Sequence, residues 1–91
     1  MKTGELQDVA DVCKMLADPT RLTMVAILAK GPAPVMALCD AVRLPQPTAS
    51  YHLALLRLSG LLDRKRKGRE MYYSLNHARL GVVREFLTKL K

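Results

Sequence analysis

The 91-residue sequence is poor in aromatic side chains, with no tryptophan, one phenylalanine and three tyrosines. A core must therefore come mostly from Leu, Val, Ala and Met, which suits a helical protein. Two cysteines, Cys13 and Cys39, are too few for a disulfide framework, so the chain reads as cytoplasmic with its thiols reduced. No apolar run reaches the roughly 20 residues of a membrane span. The opening MKTGELQD lacks the apolar stretch of a secretion signal. No Gly-rich phosphate loop, Ser/His/Asp set or isolated pair of carboxylates is found, and Cys39-Asp40 is not a nucleophile with its base. An enzyme is not expected, and no cofactor is implied.

Negative charge is also scarce: eight acidic residues face fifteen basic ones, for a net charge of +7 and a pI near 9.9. That imbalance points to an acidic polymer as partner, though not to any particular sequence of it. The hydrophobic fraction of 49% argues against disorder. With no linker, repeat or low-complexity tract, residues 1–91 read as one domain. So short a chain buries a modest core, and a second copy is an expected source of stability.

The positive features fall into a fixed order. Val9, Val12, Cys13 and Leu16 sit at i, i+3, i+4 and i+7, one stripe of a helix over Gln7–Leu16. Asp18-Pro19 is a cap followed by a first-turn proline, and predicts a helix to about Lys30. After the Gly31-Pro32 break, Pro34 opens a third helix to about Val42, with Val35, Leu38, Cys39 and Val42 on its stripe. A fourth runs from Gln46-Pro47 to Leu58 or Ser59. Ala49, Leu53, Leu56 and Gly60 fall on one side, and Ser50, Tyr51, Ala54 and Arg57 lie on or near the other. A short helix, a tight turn and a second helix with a polar leading edge form a helix-turn-helix.

Two β-rich runs follow, Leu61–Lys65 and Met71–Leu75, around a basic turn, Arg66-Lys67-Gly68-Arg69. A last helix spans His77–Lys91. The fold class is thus mainly α with a small β-hairpin: a winged helix-turn-helix of about five helices plus a two-stranded wing. Gln46, Pro47, Thr48, Ser50 and Tyr51 are the candidate base-facing residues, with Arg57 facing outward onto phosphate. His52 either touches DNA or packs beneath its helix and fixes the tilt. Arg64, Lys65, Arg66, Lys67 and Arg69 are candidate phosphate contacts. Tyr72 and Tyr73 alternate faces, so one packs inward.

Four segments carry a family resemblance: Leu16-Ala17-Asp18-Pro19-Thr20-Arg21-Leu22, Leu44-Pro45-Gln46-Pro47-Thr48-Ala49-Ser50-Tyr51-His52-Leu53, Leu58-Ser59-Gly60-Leu61-Leu62, and Lys67-Gly68-Arg69-Glu70-Met71-Tyr72-Tyr73-Ser74-Leu75. In this order they resemble the ArsR/SmtB winged-helix repressors of bacteria. The resemblance implies a homodimer through the first and last helices and an inverted-repeat operator on double-stranded DNA. It also implies repression relieved by a ligand or modification, with the small effector unknown. Pro45 departs from the family's usual Ser and cannot cap the fourth helix.

The resemblance also locates metal sites, and here the ligands are missing. Ala37-Leu38-Cys39-Asp40 keeps one thiolate where the family has two. Asn76-His77-Ala78 replaces the acid and the ligating His of the last helix, and Lys89 stands near a later ligand position. No metal is expected there. Cys13 and Cys39 keep three readings: buried apolar thiols, a thiol switch that relieves operator binding, or a weak arsenite or metal site. The rival functions are a constitutive regulator, a winged-helix protein-interaction module and a sequence-neutral DNA binder.

Overall fold

The computed structural model describes residues 2–91, in which five helices surround a three-stranded antiparallel sheet. Helix α1 spans Thr3–Leu16 and starts four residues before the expected Gln7. It has no side-chain cap. Only Val12 is fully enclosed; Val9, Met15 and Leu16 are half-buried. Cys13 is exposed, so the stripe read from the sequence is too wide by one position.

Helix α2 covers Pro19–Leu28, two residues short of the expected end. Asp18 caps it, accepting from the Arg21 amide at 3.0 Å, and Pro19 fills its first turn. Helix α3 is Val35–Val42, with Pro34 as its N-cap rather than its first residue. It ends at Arg43, whose left-handed φ of 55° is the only positive value at a non-glycine residue among the described residues. That conformation costs about 1–2 kcal/mol and turns the chain sharply into the next helix.

Helix α4, Gln46–Leu58, has Pro45 as a cap without a side-chain bond. Its inner stripe is fully enclosed: Ala49, Leu53 and Leu56 are all 0% exposed. At its end Leu61 N–H donates to Leu56 C=O and Gly60 N–H to Arg57 C=O, each at 3.0 Å. With Gly60 at φ 86°, this is a Schellman stop, and Leu56 and Leu61 on its two sides both belong to the buried cluster.

The chain then enters the hairpin at once. Strand β2 is Leu62–Lys67 and β3 is Glu70–Leu75, paired from Leu62↔Leu75 to Lys67↔Glu70. Arg66 and Lys67 therefore belong to the strand, and the turn is only Gly68-Arg69. Gly68 supplies the positive φ, 63°, that so tight a reversal needs.

A third strand, β1, was not legible. Ala33–Pro34 pairs with Tyr73 and Tyr72 on the far side of β3, making the order β1-β3-β2. Two residues show no alternation, and Pro34 has no N–H to give, so it belongs at a sheet edge. Helix α5, His77–Lys89, is capped by Asn76, which accepts from the Arg79 amide at 3.2 Å. It has no fully buried residue.

The core is Met24, Leu28, Leu38, Leu53, Leu56, Leu61 and Leu62 with Val12, and Tyr73 is its one aromatic. Among the described residues no helix is long and apolar enough to cross a membrane. Because Leu53 is 0% exposed and central to the α4 stripe, Leu53→Ala is expected to lower unfolding free energy by about 2–5 kcal/mol in chemical denaturation.

Candidate nucleic-acid interface

The rotation of α4 decides which residues meet a partner. With Ala49, Leu53 and Leu56 inward, the 3.6-residue period places Pro47, Tyr51 and Leu58 on the opposite line. All three are exposed, Tyr51 at 61% and Leu58 at 75%. Gln46 and Thr48 are exposed at the leading edge. Ser50 and Arg57, seven residues apart, share a flank of the helix and are half-buried. Arg57 thus does not point straight outward as read from the sequence. Its Nε is shut off from solvent without a hydrogen-bond partner among the described residues.

His52 turns towards α2. Arg21 Nη1 lies 3.2 Å from its Nδ1, and Asp18 Oδ2 lies 4.0 Å from the same atom. The Tyr51 ring stands edge-on to the imidazole, centroids 5.5 Å apart. Arg21 Nε also donates to the Met15 carbonyl at 2.8 Å, in the last turn of α1. A hydrogen bond from the Arg21 amide, with the Arg21 guanidinium charge adding to it, holds the Asp18 carboxyl below the usual carboxylate range against a modest opposing burial.

The wing is the cationic part. Arg64, Lys65, Arg66, Lys67 and Arg69 are all exposed. Pleating sends Arg64 and Arg66 to the face that carries Leu62, and Lys65 and Lys67 to the other. Tyr73 packs inward at 6% exposure. Tyr72 remains half-exposed under Lys67, whose Nζ is 5.3 Å from the ring centroid. The hairpin therefore offers charge on both faces, suited to phosphates passing beside it rather than to one buried anion.

The thiols stand apart in character. Cys39 lies in the core at 4% exposure, whereas Cys13 is exposed, and both are free. Cys13 is on α1, which packs on α2 and α5. Cys39 is on α3, which packs on α2, α4, β1 and β3. Among the described residues no three His, Cys, Asp or Glu side chains gather as a metal site. Lys89 pairs with Glu5 and Glu85, each at 3.7 Å.

Residues 16–65, from the end of α1 into the wing, match a helix-turn-helix domain family. The chain is 33% identical to a transcriptional repressor SmtB homolog of Synechocystis sp., over 100% of this chain and 70% of that one. The chain belongs to the ArsR/SmtB family. Members of this family are DNA-binding transcriptional repressors with winged helix-turn-helix domains, not enzymes. The transcriptional repressor PagR of Bacillus anthracis is 38% identical over 87% of this chain and 81% of its own. Among solved structures, a homodimeric winged helix-turn-helix domain from Mycobacterium bovis superposes with a TM-score of 0.74 at 35% identity. It covers 93% of this chain and 77% of that one.

Sequence reasoning passed over Arg21 and Arg79. Each is the third residue of a helix whose cap is Asp or Asn, so the repeated pattern Asp/Asn-x-x-Arg was the available signal. Because the Asp18 carboxyl is held below its ordinary value, it stabilises the fold above the unfolded carboxylate pKa of about 3.9. That contribution is lost as pH falls through the folded value. The stability advantage of wild type over Asp18→Asn should therefore shrink as pH drops from 6 to 3, read from denaturation midpoints.

Proposed function

We propose that the protein is a homodimeric, sequence-specific repressor that places two α4 helices in successive major grooves of a pseudo-palindromic operator. One observation carries the reading: α4 exposes a polar leading edge, Gln46 and Thr48 with Tyr51, and runs through Gly60 directly into a hairpin bearing five exposed cations. The helix suits base edges and the hairpin suits phosphates. Dimerisation is supported by the uncovered apolar residues of α1 and of α5 with its C-cap, Leu6 at 43%, Leu87 at 58% and Leu90 at 59% exposure. The homodimeric M. bovis domain supports it as well.

Relief of repression by thiol modification belongs to this reading through Cys13, the exposed thiol on the helix assigned to the dimer contact. A charged or bulky adduct there disturbs pairing of the copies and hence the spacing of the two α4 helices. Cys39 is enclosed as a small apolar side chain.

Fluorescence anisotropy on the region upstream of the protein's own gene, run as a salt series, tests the whole. Lys65→Gln should weaken every duplex alike and reduce the salt slope by about one unit. Thr48→Ala should change the preferred sequence and leave the slope alone. Identical behaviour of the two variants refutes the division between helix and wing, and binding without any preferred sequence favours a protein-docking or architectural role. With mild oxidant or persulfide, operator release should disappear in Cys13→Ser and persist in Cys39→Ser. Unchanged release in Cys13→Ser removes the thiol part of the proposal.

A further inference from the structure

We infer that Arg21 and Arg79 are positioning residues that fix the recognition helix α4 against α1, a role that rests on α4 being the helix that reads DNA. Helix α1 packs on α2 and α5, while α4 packs on α2, α3 and β2. Two guanidinium groups cross the distance between α1 and α4 directly.

Arg21 joins the carbonyl end of α1 to the middle of α4. Its Nε donates to Met15 C=O at 2.8 Å, and its Nη1 donates to His52 Nδ1 at 3.2 Å. Arg79 joins the middle of α1 to the carbonyl end of α4. Its Nη1 pairs with Asp8 Oδ1 at 3.2 Å, and its Nε donates to Ser59 C=O, the C-cap of α4, at 3.1 Å. The two straps therefore hold α4 at separate points along its axis.

Both straps are built alike. In each, the arginine is three residues after an Asp or Asn cap that accepts its own backbone N–H, Asp18 for Arg21 and Asn76 for Arg79. The first turn of a helix is an unfavourable place for a cation. Each side chain leaves that positive end and ends at carbonyls of the negative end of another helix, of α1 for Arg21 and of α4 for Arg79. The planar fork lets one side chain serve two acceptors in fixed directions, which a lysine ammonium does not do in the same geometry. Arginine is only a donor, so this strap requires His52 Nδ1 to accept and the ring proton to be on Nε2. Asp18, Arg21 and the Tyr51 ring are the charged or titratable groups facing that ring.

A strap that merely adds stability and a strap that aims the helix predict different outcomes. The probe is a duplex enriched from a random-sequence library by the wild-type protein, compared with a scrambled duplex of the same composition. In Arg21→Ala and Arg79→Ala the ratio of the two affinities should fall about tenfold, the worth of a hydrogen bond to a charged group, while affinity for the scrambled duplex stays within twofold. Folded variants that keep the wild-type ratio overturn the inference, whatever their melting temperature.

If Arg21→Ala does not fold, the same strap is cut from the α4 side. His52→Gln, which retains an acceptor for Arg21, should keep more of the ratio than His52→Ala, and equal loss in both overturns it. Imidazole 15N shifts give a readout free of DNA: His52 should carry its proton on Nε2 in wild type, and an Nδ1–H form overturns the Arg21 strap. Should wild type enrich no sequence at all, the repressor reading fails, and the 15N result still decides that strap.

Discussion

Burial of one stripe on α4 is the constraint from which the rest of the structure follows. Ala49, Leu53 and Leu56 are completely enclosed, and three points at i, i+4 and i+7 fix the rotation of a helix about its axis. Slipping the stripe by one residue would turn the helix by about 100° and bring the Ser50 and Arg57 flank inwards. The outward line of Pro47, Tyr51 and Leu58 is therefore set by leucine packing on the opposite side. The polar leading edge owes its position to apolar residues that never touch a partner. The Schellman stop extends the same control into the wing, because Leu61, the residue that closes it, begins the entry into β2 and is itself 0% exposed.

The wing shows how charge can be displayed without being stored. No acid salt-bridges the five exposed cations of the hairpin within the described residues, so solvent and salt, which screen over a Debye length of about 8 Å, carry much of the relief of their mutual repulsion. Anchoring is left to Leu62, Tyr73 and Leu75 at the base of the hairpin, all below 8% exposure. Asn76 N–H, donating to Leu61 C=O at 2.8 Å, ties off that base. A buried base and a charged, solvated tip suit the phosphate contact proposed for the hairpin, because the contact would leave its support intact.

Much of this was legible in the sequence, for identifiable reasons. Asp18-Pro19, the Ala49/Leu53/Leu56 period and Gly60 are strong local signals, and α2, α4 and the hairpin stand where they indicated. Strand β1 was missed because two residues carry no periodicity, and its pairing depends on β3, about forty residues away. The last turn of α1 misled differently. Cys13 keeps helical spacing with Val9 and Leu16 yet is exposed, because α1 finds α2 and α5 as neighbours and none of the described residues covers that side. Periodicity shows which residues share a face, but not whether the protomer has anything to lay against it.

The straps illustrate what lies between those cases. Asp18 was readable as a cap, and Arg21 and Arg79 were visible as charges, but the destination of a guanidinium is a property of the assembled fold. Helix dipoles explain why it matters. An arginine in the first turn opposes the field of its own helix, so its head group is best satisfied elsewhere, and the length of the side chain allows it to reach a neighbouring helix's carbonyl end. A lysine could bring the charge but not the two fixed donor directions. The local cost at each helix start thus becomes a tertiary constraint on α4. In the proposed homodimer, where α4 meets one groove geometry twice, an angle held from two points along the helix is worth more than the same hydrogen bonds spent within a single element.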